Sequence, residues 1–598
     1  MAKEKKDKVE KWLEQVNEGM TYLKDYGHAE DWELFRRYYR GDFPGFGRLQ
    51  DTDILPMNIT FKYARETIPR VYHRNPYVSV TPRVAASDPG NEMKAKVVEA
   101  VDNYLIEETG LKQEMKRGAM DCFFTDRAFW KIGFGSQFGS PSVQSFGGLD
   151  YLGSQESTDQ QDKKGKPNEY HGYVKEDMPW ALRTDPAMTI VPFGIGTLPQ
   201  AGWIDHVILR PTEDIKNSTF YKGVSDIKGT HIETVRKLQY LSDMADKLGE
   251  TIDLTELHEI RDARNGKIIV MYPGADGSAG RIIREEDDVL QTEGLPFITA
   301  CFNGDPDLFY GPSDARILEP QQLELNECLT QAMYHRRIAN LKIAYDNGRV
   351  TEDEITKLLS EWIMPAIGVD GDPNTAFLFL QPHVPPDLLA WVQHVLSASK
   401  SLLGMGGQDT TFPEAQSRSA TDAKMKGMSH GVRMDEKRDA LADALQQIIR
   451  KWNQLIFKFW RGERASKVIQ VVGYDGAKYW VEYTADQIEG EYQLRVDPAS
   501  MNPISKESKR KDLIGIIQAL GSNPRANLDY LMKMMLREFD YIDAMKVFPE
   551  APESAGGQKM GMEQFQQMQG RMLGNPDQLR QRAGRNASQL QAAMGGGR

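Results

Sequence analysis

The chain has 598 residues, 40% of them hydrophobic and 27% charged, with a formal net charge of −12 at pH 7. That length exceeds a single compact core and predicts several domains, roughly three or four. The composition excludes fibrous, membrane and fully disordered classes, and the acidic balance argues against a protein that grips nucleic acid over its whole surface, because such binding needs Lys and Arg on the phosphates.

No stretch approaches the roughly 20 apolar residues of a membrane helix. The start MAKEKKDKVEKW is charged and lacks the apolar run of a secretion signal, so synthesis in a cytoplasm and no membrane partner are expected. Cys122, Cys301 and Cys328 are isolated, without CxxC spacing, which predicts neither disulfides nor zinc and no cofactor.

Along the chain, the first 26 residues read as a charged helix with an apolar stripe at Val9, Trp12, Leu13 and Val16. Lys6, Lys8 and Lys11 alternate with acids there, as on a solvated helix face. An aromatic helix from about Ala29 to Arg40 carries Trp32, Phe35, Tyr38 and Tyr39 as core residues and stops at Gly41. From Asn58 to Tyr72, Phe61, Ala64, Ile68 and Val71 recur at helical spacing; Asn75 and Pro76 end that helix before a strand from Tyr77 to Thr81. Helices near Asn91–Glu107 and Leu111–Phe124 and a strand Ala128–Phe134 follow, an α+β organisation.

Gly135–Tyr170 is rich in Gly, Ser, Gln and Asp and reads as a long exposed loop or hairpin. Strands are expected at Met188–Val191 and Trp203–Leu209, helices around Thr212–Phe220 and Ile232–Lys247, and a hairpin at Lys267–Tyr272. Ser313–Asn340 reads as one long helix whose single breaker is Pro320. A mixed segment Ile343–His383, with a helix Glu352–Trp362 and a strand Ala376–Leu380, leads to a helix from Pro385 and Pro386 to about Leu403.

After the loop GMGGQDTTFPEAQS, Ser419, Thr421 and Asp422 are suited to cap a very long helix reaching Trp460, interrupted near Gly427 and Gly431. Strands are expected at Val468–Gly473, Tyr479–Tyr483 and Tyr492–Val496, and helices at Lys506–Leu520 and Leu528–Lys546. The Gln-, Met- and Gly-rich tail Pro549–Arg598 predicts partial helix with a disordered end.

The usual catalytic signatures fail. There is no P-loop, no H-E-x-x-H, no EF-hand loop and no G-x-S-x-G elbow. His258 and Glu259 lack a second His and read as a solvated polar pair. The run Glu285, Glu286, Asp287, Asp288 could hold a divalent cation or form a solvated turn. Gly404, Gly406 and Gly407 follow no strand and bring no Lys, so a phosphate cradle is disfavoured and a mobile hinge or lid is expected, because Gly tolerates backbone conformations closed to other residues.

The element order resembles the portal proteins of tailed bacteriophages. WELFRRYYRGDF and MNITFKYARETIPRVYHRNPYVSVTPR are similar to the family's opening. DMPWALRTDPAMTIVP with AGWIDHVILRPTEDIK resembles its wing stretch. LPFITACFNGDPDLFYGPSDARILEPQQLELNECLTQAMYHRR resembles its passage from wing to stem, and SRSATDAKMKG the start of its long helix. The resemblance implies a portal-type α+β subunit: wing at 1–311, first stem helix at 312–340, small α/β clip at 341–383, second stem helix at 384–403, tunnel loop at 404–418, long helix and returning wing strands at 419–503, and crown helices with a flexible tail at 504–598.

It further implies a non-enzymatic ring, commonly of twelve copies, at one capsid vertex of the virion. That ring conducts double-stranded DNA during packaging, retention and ejection. The implied partners are the major capsid protein, scaffolding protein, terminase large subunit and tail adaptor or connector proteins. The implied tunnel-loop residues are Gly404, Met405, Gly406, Gly407, Gln408, Asp409, Thr410, Thr411, Phe412 and Pro413. In a stem helix, Leu323, Leu325, Leu329 and Met333 would pack sideways beside Glu324, Glu327 and Arg336.

A strongly negative ring would repel DNA unless locally relieved. Candidates for that relief are Lys424, Lys426, Arg433, Lys437 and Arg438 near the loop, with His335, Arg336, Arg337 and Lys342 toward the clip; each could instead form intersubunit salt bridges or a solvated face. Two other classes stay open: a phage head or connector protein without a DNA channel, and a metal-dependent nuclease using Glu285–Asp288.

Overall fold

The computed structural model describes residues 2–44, 55–83, 89–135, 178–218, 220–229, 254–274, 279–338, 342–353, 355–356, 369–372, 376–380, 387–404, 420–461, 467–472, 478–496, 513–519, 531–532 and 560–573. In chain order its main elements are α1 (Ala2–Asp25), α2 (Ala29–Arg40), α3 (Ile59–Val71), β1 (Val78–Pro82), α4 (Pro89–Glu108), α5 (Leu111–Thr125), β2 (Arg127–Gly135), β3 (Met178–Thr184), β4 (Thr189–Ile190), β5 (Trp203–Pro211), β6 (Leu254–Asp262), β7 (Lys267–Tyr272), β8 (Arg281–Asp287) and β9 (Phe297–Cys301). Then come α6 (Asp314–Ile338), β10 (Lys342–Tyr345), β11 (Phe377–Leu380), α7 (Asp387–Leu402), α8 (Ala420–Phe459), β12 (Lys467–Val472), β13 (Lys478–Tyr483), β14 (Tyr492–Val496), β15 (Met560–Gly561) and α9 (Met562–Leu573). The class is α+β, as expected.

The chain divides into two compact units, one of residues 1–30, 66–313 and 434–598, the other of residues 31–65 and 314–433. In the first, β2 is the middle of the sheet β3-β2-β9 and is buried along all nine residues. Glycines let the indoles lie against the backbone: a Cβ on Gly118 would stand 2.0 Å from Trp130, and one on Gly133 2.0 Å from Trp180.

A second sheet runs β4-β5-β6-β7-β8. One of its faces is covered by α1, whose Val9, Trp12 and Val16 pack with Ile190, Trp203, Val207, Ile260, Ile269 and Met271. Trp12 meets Trp203 edge-on at 6.1 Å. The helical stripe read from the sequence is therefore the cover of a sheet. Chain ends far apart in sequence meet in β1–β14, where Val78 pairs Val496, and in β15, which adds in parallel to β13.

In the second unit, α6 and α7 lie together and β10 pairs β11. The aromatic stripe of α2 is buried at Trp32, Phe35 and Tyr38. A polar ladder on α6 holds the start of α3. The Gln322 amide oxygen accepts from the backbone N–H of Ile59 (2.9 Å) and Thr60 (3.1 Å), while its nitrogen donates to the Met57 carbonyl (2.8 Å) and to Asn326 Oδ1 (3.0 Å). Asn326 also accepts from Met57 N–H, and Thr330 from Leu55 N–H. Asn58 caps α3 by accepting from Phe61 N–H at 2.8 Å.

Several expectations are corrected. The long helix is not interrupted: α8 runs through Gly427 and Gly431 as one helix of 40 residues. β6 and β9 are strands beyond those expected; in β6, LTELHEIRD, buried charged residues hide the strand's apolar alternation. The helix expected from Thr212 ends at Asn217. The helix at Ile232–Lys247, the insertion after Gly135, most of Glu352–Trp362, most of the helices at Lys506–Leu520 and Leu528–Lys546 and the chain end lie outside the described residues.

Candidate functional site

The loop singled out by its glycines begins where α7 ends. Leu403 N–H returns to the Ser399 carbonyl (3.3 Å) and Gly404 N–H to that of Ser401 (3.1 Å), with Gly404 left-handed at φ +70°. This is the glycine stop that helices favour, since a side chain there would be strained. The Arg433 guanidinium donates to the carbonyls of Leu402 and Ser401, so a cation sits on the negative end of α7. A Cβ on Gly404 would come within 2.9 Å of Arg433 Cδ. Met405, Gly406, Gly407, Gln408, Asp409, Thr410, Thr411, Phe412 and Pro413 lie outside the described residues.

The basic candidates separate by environment. Arg433 is exposed. Lys437 and Arg438 are buried: Lys437 lies 5.3 Å over the Phe302 ring, and Arg438 pairs with Asp435 and donates to the Arg70 carbonyl at 3.1 Å. Arg336 is exposed and His335 half-buried on the last turns of α6. The backbones of Lys424 and Lys426 belong to α8, that of Arg337 to α6 and that of Lys342 to β10; their side chains lie outside the described residues.

Three of the four acids weighed for chemistry are engaged in ion pairs. Lys8 and Lys267 both reach Glu285 (2.6 and 3.1 Å), Arg284 holds Glu286 (2.5 Å) and Arg261 holds Asp288 (3.0 Å). The first three acids of the run are exposed, as a solvated reading expects, but they belong to the end of strand β8 rather than to a turn. Among the described residues no group of three or more His, Cys, Asp or Glu is arranged to hold a metal. A polar cleft of about 370 Å³ opens at the β6–β7 turn beside Asp262, Asp287 and Asp288. Asp262 is engaged there by Arg264 N–H and by the Asn265 amide (2.6 Å).

His258 and Glu259 are not solvated but buried, a second correction. His258 Nδ1 lies 2.6 Å from Asp205 and Nε2 3.5 Å from Glu256, so both ring nitrogens face acceptors, which only the imidazolium can satisfy as a double donor. Burial opposes that charge, but the two carboxylates outweigh it and push the His258 pKa up to about 10. On the opposite face of the strand, Glu259 takes Lys131 (2.9 Å) and Arg261 (2.9 Å). Burial alone would raise its pKa; the two cations overcome that and bring it down to about 2.

Sequence reasoning also passed over Asp126. At φ +63° it ends α5, and its carboxylate accepts from the N–H groups of Phe302 (3.3 Å), Asn303 (2.8 Å) and Gly311 (3.2 Å), fixing the segment that leads into α6. The Gln322-Asn326-Thr330 ladder was missed as well, although its signal, amide and hydroxyl side chains spaced four apart in an otherwise amphipathic helix, is present in the sequence.

Residues 384–596 match the family model described as phage P22-like portal protein. No curated protein matches the chain. Among the described residues no helix is long and apolar enough to cross a membrane.

Proposed function

We propose that this chain, whose residues 384–596 match the phage P22-like portal family, is a phage portal protein: the subunit of a ring at one capsid vertex that conducts double-stranded DNA during packaging, retention and ejection. The observation that carries the proposal is the match over 384–596, which spans α7, the glycine loop and α8. Portal proteins are structural rather than enzymatic, in keeping with the ion pairs of Glu285, Glu286 and Asp288. The motifs between Trp32 and Arg337 that first suggested the family lie outside the matched residues.

In this reading, α6 and α7 are the stem helices, the chain between them the clip, residues 404–418 the tunnel loop and α8 the long helix beyond it. The grouping of 314–433 with 31–65 into one compact unit, apart from 66–313 and 434–598, supports separating stem and clip from most of the wing. The loop narrows the bore. It carries no Lys or Arg between Gly404 and Ser417, so it does not bind phosphates tightly and DNA can slide past it. Charge for DNA is left to Arg433, Lys424, Lys426, Arg336, Arg337 and Lys342, since Lys437 and Arg438 are engaged inside the subunit. The clip docks the terminase large subunit and later the tail adaptor or connector proteins; the major capsid and scaffolding proteins are further partners of the ring.

The double variant Gly406→Pro/Gly407→Pro tests the loop's task. Proline fixes a backbone that the glycines leave free. Rings should still assemble, while packaged genome length or retention falls. Full-length genomes retained normally by the variant would overturn the assignment.

A further inference from the structure

Inside the first unit, α4 and α8 are bridged by one carboxyl group that has almost nothing to hold a charge. Asp102 follows Val101 on α4, and Asn453 follows Trp452 on α8; all four are buried, Asp102 completely. The Asn453 amide donates to Asp102 Oδ2 at 3.1 Å, while Oδ1 has no partner among the described residues.

The polar groups around this bond are spent elsewhere. Glu99, a turn earlier on α4, accepts from the Tyr77 hydroxyl (2.6 Å) and from Val80 N–H (2.9 Å), and Asn103 bonds both backbone groups of Val78, so these two side chains fix α4 to β1. On α8, Gln446 donates to the Leu494 carbonyl of β14 at 2.7 Å, Lys451 is turned to the carbonyls of Glu293 and Leu295, and Asp443 and Arg450 are exposed.

The other elements packed on α4 supply no counter-charge either. Lys467 of β12 lies over the Trp460 ring at 5.0 Å, and Arg117 of α5 pairs with Glu114. Lys112 and Lys116 of α5 make no bond to Asp102. The short helix Ala485–Ile488 brings an acid, Asp486, as does α9 with Glu563, and β13 brings the buried phenol of Tyr483. Among the described residues, then, the one group bonded to Asp102 is a neutral amide.

We propose that Asp102 is carried as the neutral carboxylic acid at neutral pH and acts as a proton-held clasp between α4 and α8, which loosens as the medium turns alkaline. An ionised carboxylate in the interior with a single neutral donor costs far more than a buried hydroxyl lacking an acceptor. Burial pushes the Asp102 carboxyl well above the usual carboxylate range; the Asn453 amide offsets part of that, and the Glu99 carboxylate adds to it. The clasp's contribution is complete below the unfolded value near 3.8. Above it the unfolded chain releases the proton to water while the folded chain retains it, so the contribution is lost as pH climbs toward the folded value. This clasp is independent of the portal reading.

Thermal unfolding of the purified full chain from pH 5 to pH 8 tests the proposal, with Asp102→Asn as the isosteric reference that cannot ionise. Wild type should lose about tenfold in its folding equilibrium relative to D102N for each pH unit, so the Tm of the variant minus that of wild type rises steadily with pH. A difference that is constant, or that falls with pH, overturns the proposal, because it means an ionised Asp102. Infrared spectroscopy of wild type at pH 7 gives a second readout that does not depend on D102N folding. It should show the C=O stretch of a protonated carboxyl, and Asn453→Leu should move that band to higher frequency by removing the one donor to the carbonyl oxygen. No such band in wild type, or a band that N453L leaves in place, would equally sink the clasp.

Discussion

Glu259 shows how single residues set the pH response of the sheet. Its carboxylate, about 1% exposed, holds Lys131 and Arg261, and its pKa of about 2 lies below the unfolded value near 4.5. The stabilisation is therefore complete above about pH 4.5 and is lost as pH falls toward 2. Glu259→Gln leaves two cations buried without their counter-charge and should cost about 3–5 kcal/mol at pH 7. The gap to wild type in urea denaturation should narrow as pH drops below 4.5; a gap constant from pH 7 to 3 would refute the ionised assignment. His258 works in the opposite direction. Its raised pKa makes its contribution full below about pH 6.5 and lost as pH climbs through about 10. Sterics set the third case: Gly118→Ala drives a methyl into Trp130 and should destabilise by about 1–3 kcal/mol in the same assay.

Among the elements, α6 carries a task that apolar packing alone would not give it. Its Gln322 holds three backbone groups at the start of α3 and one side chain of its own helix, in a buried setting where each stranded donor or acceptor is costly. Gln322→Leu should lower unfolding stability by about 2–4 kcal/mol, with increased hydrogen exchange at Ile59 and Thr60; exchange unchanged there would show that the ladder is dispensable. At the start of the loop, Gly404→Ala should shorten α7 protection by a turn, because both φ and Arg433 oppose the new methyl.

The legible elements were those whose signal is local. The Val9-Trp12-Val16 stripe, the aromatic face of α2, the capping Asn58, and the Pro-led α7 ending at glycine all stood in the sequence. What was hidden depends on partners distant along the chain. Lys131 and Glu259 are 128 residues apart, so neither residue alone suggests a buried pair, and β6 looks too polar for a strand until both are placed. The same holds for Asp126, whose acceptor role requires the turn at 302–311. Of the candidate site, Gly404 and Arg433 are placed by structure, while the loop's task is the proposal that the Gly406→Pro/Gly407→Pro variant tests.

For the whole molecule, the acidic balance and the ring reading belong together. With a net charge of −12 per chain, any closed ring of copies multiplies a field that repels DNA, so a conduit rather than a clamp is expected. Transit should accordingly depend weakly on single basic residues: Arg433→Ala should leave packaged genome length near wild type while loosening the end of α7. The central claim is that copies of this chain close into a ring around a DNA-sized hole. Negative-stain electron microscopy of the purified protein at micromolar concentration tests it most directly. Closed rings with a central channel wide enough for a duplex are the predicted result, and a field of monomers or open aggregates at that concentration would contradict it.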